Sequence, residues 1–571
     1  MPTAPALVLG PLVRYVDHDS AAVWVETDNH CTVTVHAGGG SWSADTFAVH
    51  GHHYALVHAQ GLEPGAVTPY DVTLRATDGN TTAVWPPQPG TTDLDLPPSV
   101  LSTLPTARPP RFAFGSCRTS VSHDREGNAT HGVDSMRAYA LAMAGITAPK
   151  DELPWPDLIV LLGDQVYADE TSKEMQEFIA SRRDIDESPG KELKDYEEYA
   201  HLYKLAWSDP ANRWLLSTLP SAMIFDDHDI RDDWNTSAAW RRQMEQTDWW
   251  HGRIVAGLAS YWVYQHLGNM SAAERAEDEI WQLVEAHDGD DELDLGEALD
   301  RFAERVDQQP DSYRWSFARE LMGSRLVIID SRAARVLDGG RRQMLDDSEM
   351  AWLDEQMRGD VDHLFIGTSL PFMLPSGLQY LEAFSEALAG GAWGRRGRKI
   401  GEKLRQAADL EHWGAFQESF RNVAEMAVQV ATGSRGRAPH TVTFLSGDVH
   451  HSYIAEVMRL AEGDSRVLQS RVLQLVCSPI RNPLPRVVRF ATAALSYGIA
   501  GVMGKAAARS THVDRPPFEW KRIKGPWFDN NLATADVTEK GIELWWATGE
   551  VEDGRHDRPR LERVAELRID V

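Results

Sequence analysis

The chain has 571 residues, and its 42% hydrophobic content with 20 tryptophans predicts a well-filled core. Its 57 basic residues stand against 85 acidic ones, a formal net charge of -28, which argues against a sequence-independent nucleic-acid binder because such proteins need a basic surface. A metal enzyme stays compatible with this charge, since bound cations reverse the local field at one site. The cysteines Cys31, Cys117 and Cys477 are too few and odd in number for a disulfide framework.

The N-terminal residues MPTAPALVLGPLVRYV lack the charged start, long apolar core and twin arginine of export signals, so cytoplasmic residence is the default expectation. The longest weakly polar stretch, residues 490–504, falls short of the roughly 20 apolar residues that a membrane-spanning helix needs. A buried helix is the favoured interpretation of this stretch. Its basic flanks Arg486, Arg489 and Lys505 leave contact with a membrane surface as the alternative.

The first hundred residues differ in pattern from the rest of the chain. Alternating strands separated by Gly, Asn and Asp turns are visible in AAVWVETD, CTVTVHAG, YALVHAQ and TPYDVTLRAT, and they are typical of a β-sandwich. The segment GLEPGAVTPYDV, which contains Tyr70, resembles the tyrosine-corner region of fibronectin type III domains. We therefore predict a small fibronectin-III-like β-sandwich over residues 1–100 and a proline-rich linker over residues 101–110.

Residues 111–571 show apolar strands separated by long helical intervals, an alternation that indicates an α/β layered domain. The predicted strands lie in RFAFGSC, DLIVLLGD, SAMIFDDHD, SRLVIIDSR, HLFIGTS, TVTFLSGDVHHSYIAEV and VLQLVCSP. Charged segments such as KEMQEFIASRRDIDE and AAWRRQMEQTDWWHGRIVAGLASYWVYQHL are predicted helices with solvated faces. The tail DNNLATADVTEKGIELWWATGE is predicted to close the fold with two antiparallel strands around a turn.

Several predicted strands end in residue types that bind metals. Residues 158–162, LIVLL, form an apolar run without alternation, which indicates a strand buried on both faces, and Asp164 follows it at the end where ligands bind in open α/β sheets. Similar endings are Cys117 after FAFGS; Asp226, Asp227, His228 and Asp229 after MIF; and Asp448, His450 and His451 after TFLSG. Because strand ends of one sheet converge, these residues are predicted to build a single site.

A multinuclear metal centre accounts for so many carboxylates in one place. Two cations about 3.5 to 4 Å apart repel each other, and a shared anionic oxygen screens that repulsion and fixes their spacing. Asp164 is the predicted bridge. Taken alone, Cys117 also fits a small buried hydrophobe, Tyr167 a core or rim aromatic, and His228 a surface ion pair. The His450–His451 doublet is predicted to supply one ligand, since neighbours on a strand point to opposite faces.

The blocks FGSC, GDQVYAD, DDHD with DDW downstream, and SGDVHH occur in the order and approximate spacing of the PhoD-like alkaline phosphatases, a branch of the metallophosphatase superfamily. The segment DSRAARVLDGGRRQMLDDSEMAWLDEQM is similar to the part of that family ahead of its later sheet strands. The resemblance covers most of residues 110–550. It implies that residues 111–571 form a metallophosphatase-type two-sheet sandwich flanked by helices, and that this is the catalytic domain.

The resemblance also implies a ligand set. In PhoD-like enzymes an iron is held by four side chains, which correspond here to Cys117, Asp164, Tyr167 and His450. A calcium part of the centre corresponds to Asp164, Asp227, Asp448 and a residue of the following loop. That loop commonly supplies asparagine, whereas this chain reads IRDDWN, which places Asp232 and Asp233 near the position; we assign the ligand to Asp232. An added negative charge alters metal preference, so zinc, manganese and magnesium stay open beside iron with calcium.

The implied activity is hydrolysis of phosphate monoesters, diesters or both by attack of a metal-bound hydroxide, with cations stabilising the charge on the transferring group. His228 is expected to protonate the leaving oxygen or to hold the phosphate. Arg118 and Arg231, each next to a ligand block, are candidates for orienting phosphate oxygens, and a counter-ion role is the alternative. No G-x-S-x-G elbow accompanies the serines of the blocks, so no serine nucleophile is expected.

Small phosphoesters are the expected substrates, and the acidity of the chain disfavours long polyanions through repulsion. Within the same class, the alternative is a phospholipase-D-like phosphodiesterase that contacts lipid through residues 490–504. A hypothesis of a different class is a non-catalytic calcium-binding module whose sandwich binds a partner. We favour the enzyme, because every expected ligand position is filled.

Overall fold

The structure, a computed structural model, describes residues 4–570 except residues 89, 152, 290, 338–340, 398, 400, 402–409, 485–488, 490–503, 505–507, 509, 512 and 539–540. Its N-terminal strands are β1 Leu7–Val16, β2 Ser20–Thr27, β3 Cys31–Ala37, β4 Gly40–Asp45, β5 Phe47–Val49, β6 His52–Gln60, β7 Val67–Ala76, β8 Thr81–Trp85 and β9 Val100–Ser102. They form antiparallel sheets in the orders β1-β2-β6-β5 and β4-β3-β7-β8, and β9 pairs with β7. The two sheets together make a β-sandwich.

The sandwich packs firmly on the following domain. Trp24 is fully buried in β2, and its ring lies 5.3 Å from that of Tyr264. The buried guanidinium of Arg14 donates to the backbone carbonyls of Tyr264 and Gln265, at 2.8 and 2.6 Å. The Tyr70 hydroxyl donates to the carbonyl of Ser217 at 2.8 Å, so it serves this contact and not a fibronectin-type corner within its own sheets.

Two mixed sheets form the centre of the part of the chain that follows the sandwich. Their strands are β10 Phe112–Gly115, β11 Leu158–Leu162, β12 Ser221–Ile224, β13 Phe317–Leu321, β14 Ser324–Ile329, β15 His363–Thr368, β16 Thr441–Ser446, β17 Ser452–Leu460, β18 Arg471–Val476, β19 Phe518–Trp527, β20 Leu532–Thr538, β21 Gly541–Glu550 and β22 Arg560–Asp570. One sheet has the order β12-β11-β10-β20-β21-β22, and the other has the order β13-β14-β15-β16-β18-β17-β19. The strands β10, β11 and β12 are parallel to one another, as are β14, β15, β16 and β18.

The two sheets pack face to face through apolar side chains. Phe112 of β10 meets Phe365 of β15 edge to face, with ring centroids 4.9 Å apart. A Cβ on Gly367 in β15 would lie 3.1 Å from a side-chain carbon of Leu162 in β11, so glycine permits this close approach. The predicted α/β layered fold with a two-sheet sandwich is confirmed.

Helices flank both sheets. They are α1 Arg125–His131, α2 Ser135–Met143, α3 Lys173–Arg182, α4 Tyr196–Trp207, α5 Pro210–Leu216, α6 Ala238–Glu245, α7 Trp250–Tyr261, α8 Ala272–Glu277, α9 Trp281–Ala286, α10 Gly296–Gln308, α11 Asp347–Gln356, α12 Ser376–Ala389 and α13 Gln417–Ala431. Tyr139 of α2 stacks on Trp545 of β21, and α13 buries Phe420 and Val423 in a core with Phe444 of β16. The helical run predicted from Ala238 onward divides into α6 and α7, followed by a π-helical turn, Trp262–His266.

The C-terminal tail contains the two predicted strands, β20 and β21, and a third strand that the sequence pattern did not indicate. This strand, β22, pairs antiparallel with β21 along its length and forms the edge of the sheet. The apolar segment 490–504 lies outside the described residues apart from Gly504. In the part of the chain that the structure describes, no helix has the length and apolar character needed to cross a membrane.

Candidate metal centre

The predicted site residues lie where parallel strands end, on backbone that turns through the left-handed region. The φ angles are 58° for Cys117 after β10, 50° for Asp164 after β11, 62° for Asp448 after β16 and 50° for His450. Such conformations cost energy for residues other than glycine and cluster at functional sites. The turns aim these side chains back across the strand ends, so residues from different strands converge.

Glycines allow the strand ends to approach each other. A Cβ on Gly163 would lie 2.6 Å from the Cβ of Asp226, and a Cβ on Gly447 would lie 1.8 Å from the Oγ of Ser116. Real Cβ atoms do not reach such distances, so the two Gly-Asp pairs of the sequence are dictated by packing as well as by turn geometry. The strand ends of β10, β11, β12 and β16 thereby form one buried floor.

Cys117, Asp164 and His450 form the first cluster on this floor, with ligand atoms within 4.8 Å of one another. The Tyr167 hydroxyl lies 3.4 Å from Asp164 Oδ2, so the structure brings all four predicted iron ligands together. Burial raises the pKa of the Cys117 thiol and of the Tyr167 hydroxyl, and the charge of Asp164 adds to both shifts. Burial lowers the pKa of His450 to about 4, so its ring is neutral near pH 7, the form that binds metals.

Carboxylates extend this cluster in two further groups. Oxygen atoms of Asp164, Asp226 and Asp227 lie within 4.8 Å of one another, and so do those of Asp227, Glu411 and Asp448. Among the described residues, nothing donates a hydrogen bond to the buried Oδ1 of Asp164 or Oδ2 of Asp226. Burial and the neighbouring charge of Asp226 raise the pKa of Asp164 well above its ordinary value. Burying a carboxylate oxygen without a hydrogen-bond donor is energetically costly, and a bound cation would offset that cost.

His228 stands at the open side of the floor with a carboxylate behind it. Its Nδ1 lies 2.9 Å from Asp169 Oδ1, and its ring is partly exposed. Burial lowers the pKa of His228, but the charges of Asp169 and Asp227 outweigh burial and hold it well above its ordinary value. Asp232, largely exposed, lies in a group with Asp227 and His228 whose ligand atoms are within 4.8 Å of one another.

The two predicted phosphate-orienting arginines are engaged elsewhere. Arg118 is buried, with Nε and Nη2 donating to Asp134 Oδ2 at 3.0 and 2.7 Å and Nη1 donating to the Ala206 carbonyl. Arg231 forms a fork with Glu192, at 2.9 and 3.2 Å. The structure does not bring either guanidinium into the ligand clusters.

A different arginine occupies the centre of the site. Arg332 is fully buried and forms ion pairs with Asp226, with Asp227 at 3.1 Å and with Glu411. It lies in the DSRAARV segment, whose pattern gave no sign of this role. Asp169, two residues beyond Tyr167 in the GDQVYAD block, was also not singled out from the sequence. Its position as an acidic residue inside a ligand block could have indicated that it belongs to the site. Glu411 and His412, in the sequence DLEHWG, follow no predicted strand.

The donor set fits a multinuclear metal centre. A thiol, a phenol, an imidazole and a carboxylate in one cluster suit a transition metal, and the adjoining carboxylate groups suit a hard cation that prefers oxygen. The shared residues Asp164 and Asp227 link the clusters, so the cations would be close neighbours. The orphaned oxygens of Asp164 and Asp226 supply the electrostatic reason for a cation at this place.

Two facing mixed sheets with such a cluster at the carboxyl ends of parallel strands define a phosphoesterase of the metallophosphatase type. Comparison with known families specifies it further: the model of the PhoD-like phosphatases matches residues 134–498, and the chain belongs to this family and is a phosphoric ester hydrolase. Residues 4–100 match a domain of unknown function, DUF7800. A search of curated proteins found no match.

Two solved structures are similar to the chain at low sequence identity. One entitled "Structure of PhoD" is 13% identical, with a TM-score of 0.56, and the match covers 100% of this chain and 91% of that one. A purple acid phosphatase isolated from yellow lupin (Lupinus luteus) seeds is 10% identical, with a TM-score of 0.49 and coverage of 98% and 75%.

Proposed function

We propose that this phosphoesterase hydrolyses monoesters, diesters or both of small phosphate compounds with a centre of iron and calcium. The observation that carries the proposal is the meeting of Cys117, Asp164, Tyr167 and His450 beside carboxylates with unpaired buried oxygens. Thiolate and phenolate donors favour a trivalent iron, and oxygen donors favour calcium. When bound, such cations lower the pKa of a water molecule and offset charge on the transferring phosphoryl group.

Particular residues would hold each part of the centre. The iron ligands would be Cys117, Asp164, Tyr167 and His450, and the calcium ligands Asp164, Asp227, Asp232 and Asp448. Glu411 joins the second set, because its carboxylate groups with those of Asp227 and Asp448. Arg332 forms ion pairs with Asp226, Asp227 and Glu411, and its positive charge reduces the net negative charge that the cations must offset.

His228 would carry the proton for the leaving group. Asp169 accepts from Nδ1, which fixes the ring and leaves Nε2 facing the open side of the floor, where Asp232 lies 4.0 Å away. A proton held at Nε2 passes to the leaving oxygen as the phosphorus–oxygen bond breaks, and it returns from water in the next cycle. This pairing of imidazole and carboxylate supports a general-acid role for His228 over a surface ion pair.

Two alternatives stay distinct from this proposal. A lipid diester is the alternative substrate within the same reaction, and its predicted contact, residues 490–504, lies outside the described residues apart from Gly504. The calcium-binding module is the alternative without catalysis. The Asp169–His228 pair disfavours the module, because a structural calcium site has no need of a proton donor beside it.

The test is hydrolysis of p-nitrophenyl phosphate and bis(p-nitrophenyl) phosphate by the full chain, before and after chelation. We expect hydrolysis of at least one ester, its loss on chelation and a drop of roughly 100-fold or more in kcat for His228→Gln. His363→Gln is the matched control, because His363 is a buried histidine on β15 that hydrogen-bonds Thr441. Equal rates for His228→Gln and the wild type would refute the assigned role, and no hydrolysis of either ester would favour the module.

A further inference from the structure

A buried line of side chains runs from helix α12 to the metal-binding floor. His412 Nε2 lies 2.8 Å from Asp448 Oδ2, and His412 Nδ1 lies 2.7 Å from Glu382 Oε1. Glu382 is fully buried, and His412 is 7% exposed. No pattern in the sequence joined these residues, because Glu382 lies inside a helix and His412 follows no strand. The line therefore adds two residues to the surroundings of Asp448.

Both ring nitrogens of His412 are held by carboxylate groups. Nε2 meets Asp448 Oδ2 and Nδ1 meets Glu382 Oε1, each at hydrogen-bond distance, so the ring is fixed at both edges. A ring nitrogen that carries a proton donates to the carboxylate oxygen that it faces. His412 thus contacts Oδ2 of Asp448, and a carboxylate oxygen of Asp448 also groups with those of Asp227 and Glu411.

The support behind His412 is rigid. A Cβ on Gly414 would lie 2.5 Å from Glu382 Oε2, so the glycine lets the backbone after His412 close over that carboxylate. Trp413 is fully buried, and its ring packs against Phe372 with centroids 5.3 Å apart. These contacts leave His412 little freedom to follow Asp448 if that side chain moved.

We propose that His412, held by Glu382, is a positioning residue that fixes the carboxylate of Asp448 for the second cation of the centre. The inference rests on the proposed function, because it assigns an outer partner to one of the expected calcium ligands. His412 contacts Asp448 as Arg332 contacts Asp226 and Asp227, so buried nitrogen-bearing side chains from two segments hold the carboxylates of the site. Loss of such an outer partner typically weakens metal binding by about 10-fold to 100-fold.

The experiment measures metal binding by the chelator-treated full chain, with calcium alone and manganese alone, by calorimetry. The variants are His412→Ala, which removes both hydrogen bonds, His412→Gln, which keeps one donor for Asp448, and Glu382→Gln. His266→Gln is the matched control, because His266 is buried between Tyr313 and Trp315 on another part of the domain. The melting temperature of each metal-free variant reports separately on folding.

We expect His412→Ala to bind the second cation about 10-fold to 100-fold more weakly, His412→Gln and Glu382→Gln to fall between it and the wild type, and His266→Gln to bind normally. At saturating metal, the kcat of His412→Ala should return toward the wild-type value, whereas its affinity for the metal should stay weaker. Unchanged affinity in His412→Ala and Glu382→Gln would overturn the inference while leaving the proposed function intact. A wild-type chain that binds neither metal and hydrolyses no ester would overturn both.

Discussion

Replacing Arg118 by glutamine separates a structural role from a catalytic one. Arg118 is 2% exposed and gives two charge-assisted hydrogen bonds to Asp134 and one to the Ala206 carbonyl. Burial opposes ionisation of Asp134, but Arg118 and nearby cations hold the pKa of that carboxyl well below its usual range. Asp134 also caps α2 by accepting from the backbone nitrogens of Met136 and Arg137. Arg118→Gln would leave this carboxylate buried without its main partner.

The expected cost follows from the burial of the pair. Removing one member of a buried ion pair destabilises a protein by about 3–5 kcal/mol, because the other charge stays uncompensated. Asp134 keeps a hydrogen bond from Asn212 at 3.2 Å and the two from the helix, so we expect the lower end of this range. We expect a fall of several degrees in melting temperature with little change in kcat/KM below that temperature.

The assay compares thermal unfolding and ester hydrolysis for Arg118→Gln and a matched control. Arg459→Gln removes an exposed pair with Glu519, which is worth about 0–1 kcal/mol, so its melting temperature should stay near that of the wild type. Adding Asp134→Asn to Arg118→Gln should recover part of the lost stability, since the unpaired charge is then gone. A normal melting temperature with a kcat/KM reduced about 100-fold or more would refute the reasoning and would indicate that Arg118 contacts the substrate.

Two further changes test the packing and the domain contact. Gly447→Ala should cost about 1–3 kcal/mol and lower metal content, because its Cβ would lie 1.8 Å from Ser116 Oγ, whereas Gly252→Ala, with its nearest neighbour at 3.6 Å, should be tolerated. Burial lowers the pKa of His52, but its carboxylate partners Glu26 and Glu197 outweigh burial and raise the pKa above the ordinary value. Protonated His52 therefore stabilises the fold fully below about pH 6.5, and this stabilisation is lost as the pH rises through the pKa of the folded state. The difference in melting temperature between wild type and His52→Gln should therefore shrink from pH 5.5 to pH 9, and a constant difference would contradict this assignment.

The fold was largely predictable because its strands are local apolar runs. The segments before Cys117, Asp164, Asp227 and Asp448 are short and rich in apolar residues, and parallel strands place their carboxyl ends at one edge of a sheet. That rule alone was enough to expect these side chains near one another. The edge strand β22 was missed, since its charged residues hide the alternation that marks a strand.

The rest of the site depends on contacts that no local pattern reveals. Arg332 reaches Asp226 only because β14 and β12 belong to sheets that face each other. Glu411 and His412 lie directly before a short 3-10 turn, Trp413–Ala415, and far in sequence from the strands that precede Asp227 and Asp448. Arg118 and Arg231 were chosen for adjacency to ligand blocks, but those blocks lie on turns, and the two guanidinium groups contact Asp134 and Glu192.

The most direct test of the central claim is the metal content of the chain purified without chelators, expressed as moles of each element per mole of protein. The account predicts about one equivalent of iron with calcium or another divalent ion beside it, and loss of the iron in Cys117→Ser and Tyr167→Phe. Zinc or manganese in place of iron would keep the phosphoesterase and discard the assignment of the iron site. A wild-type chain that holds no metal, even after reconstitution, would contradict the account.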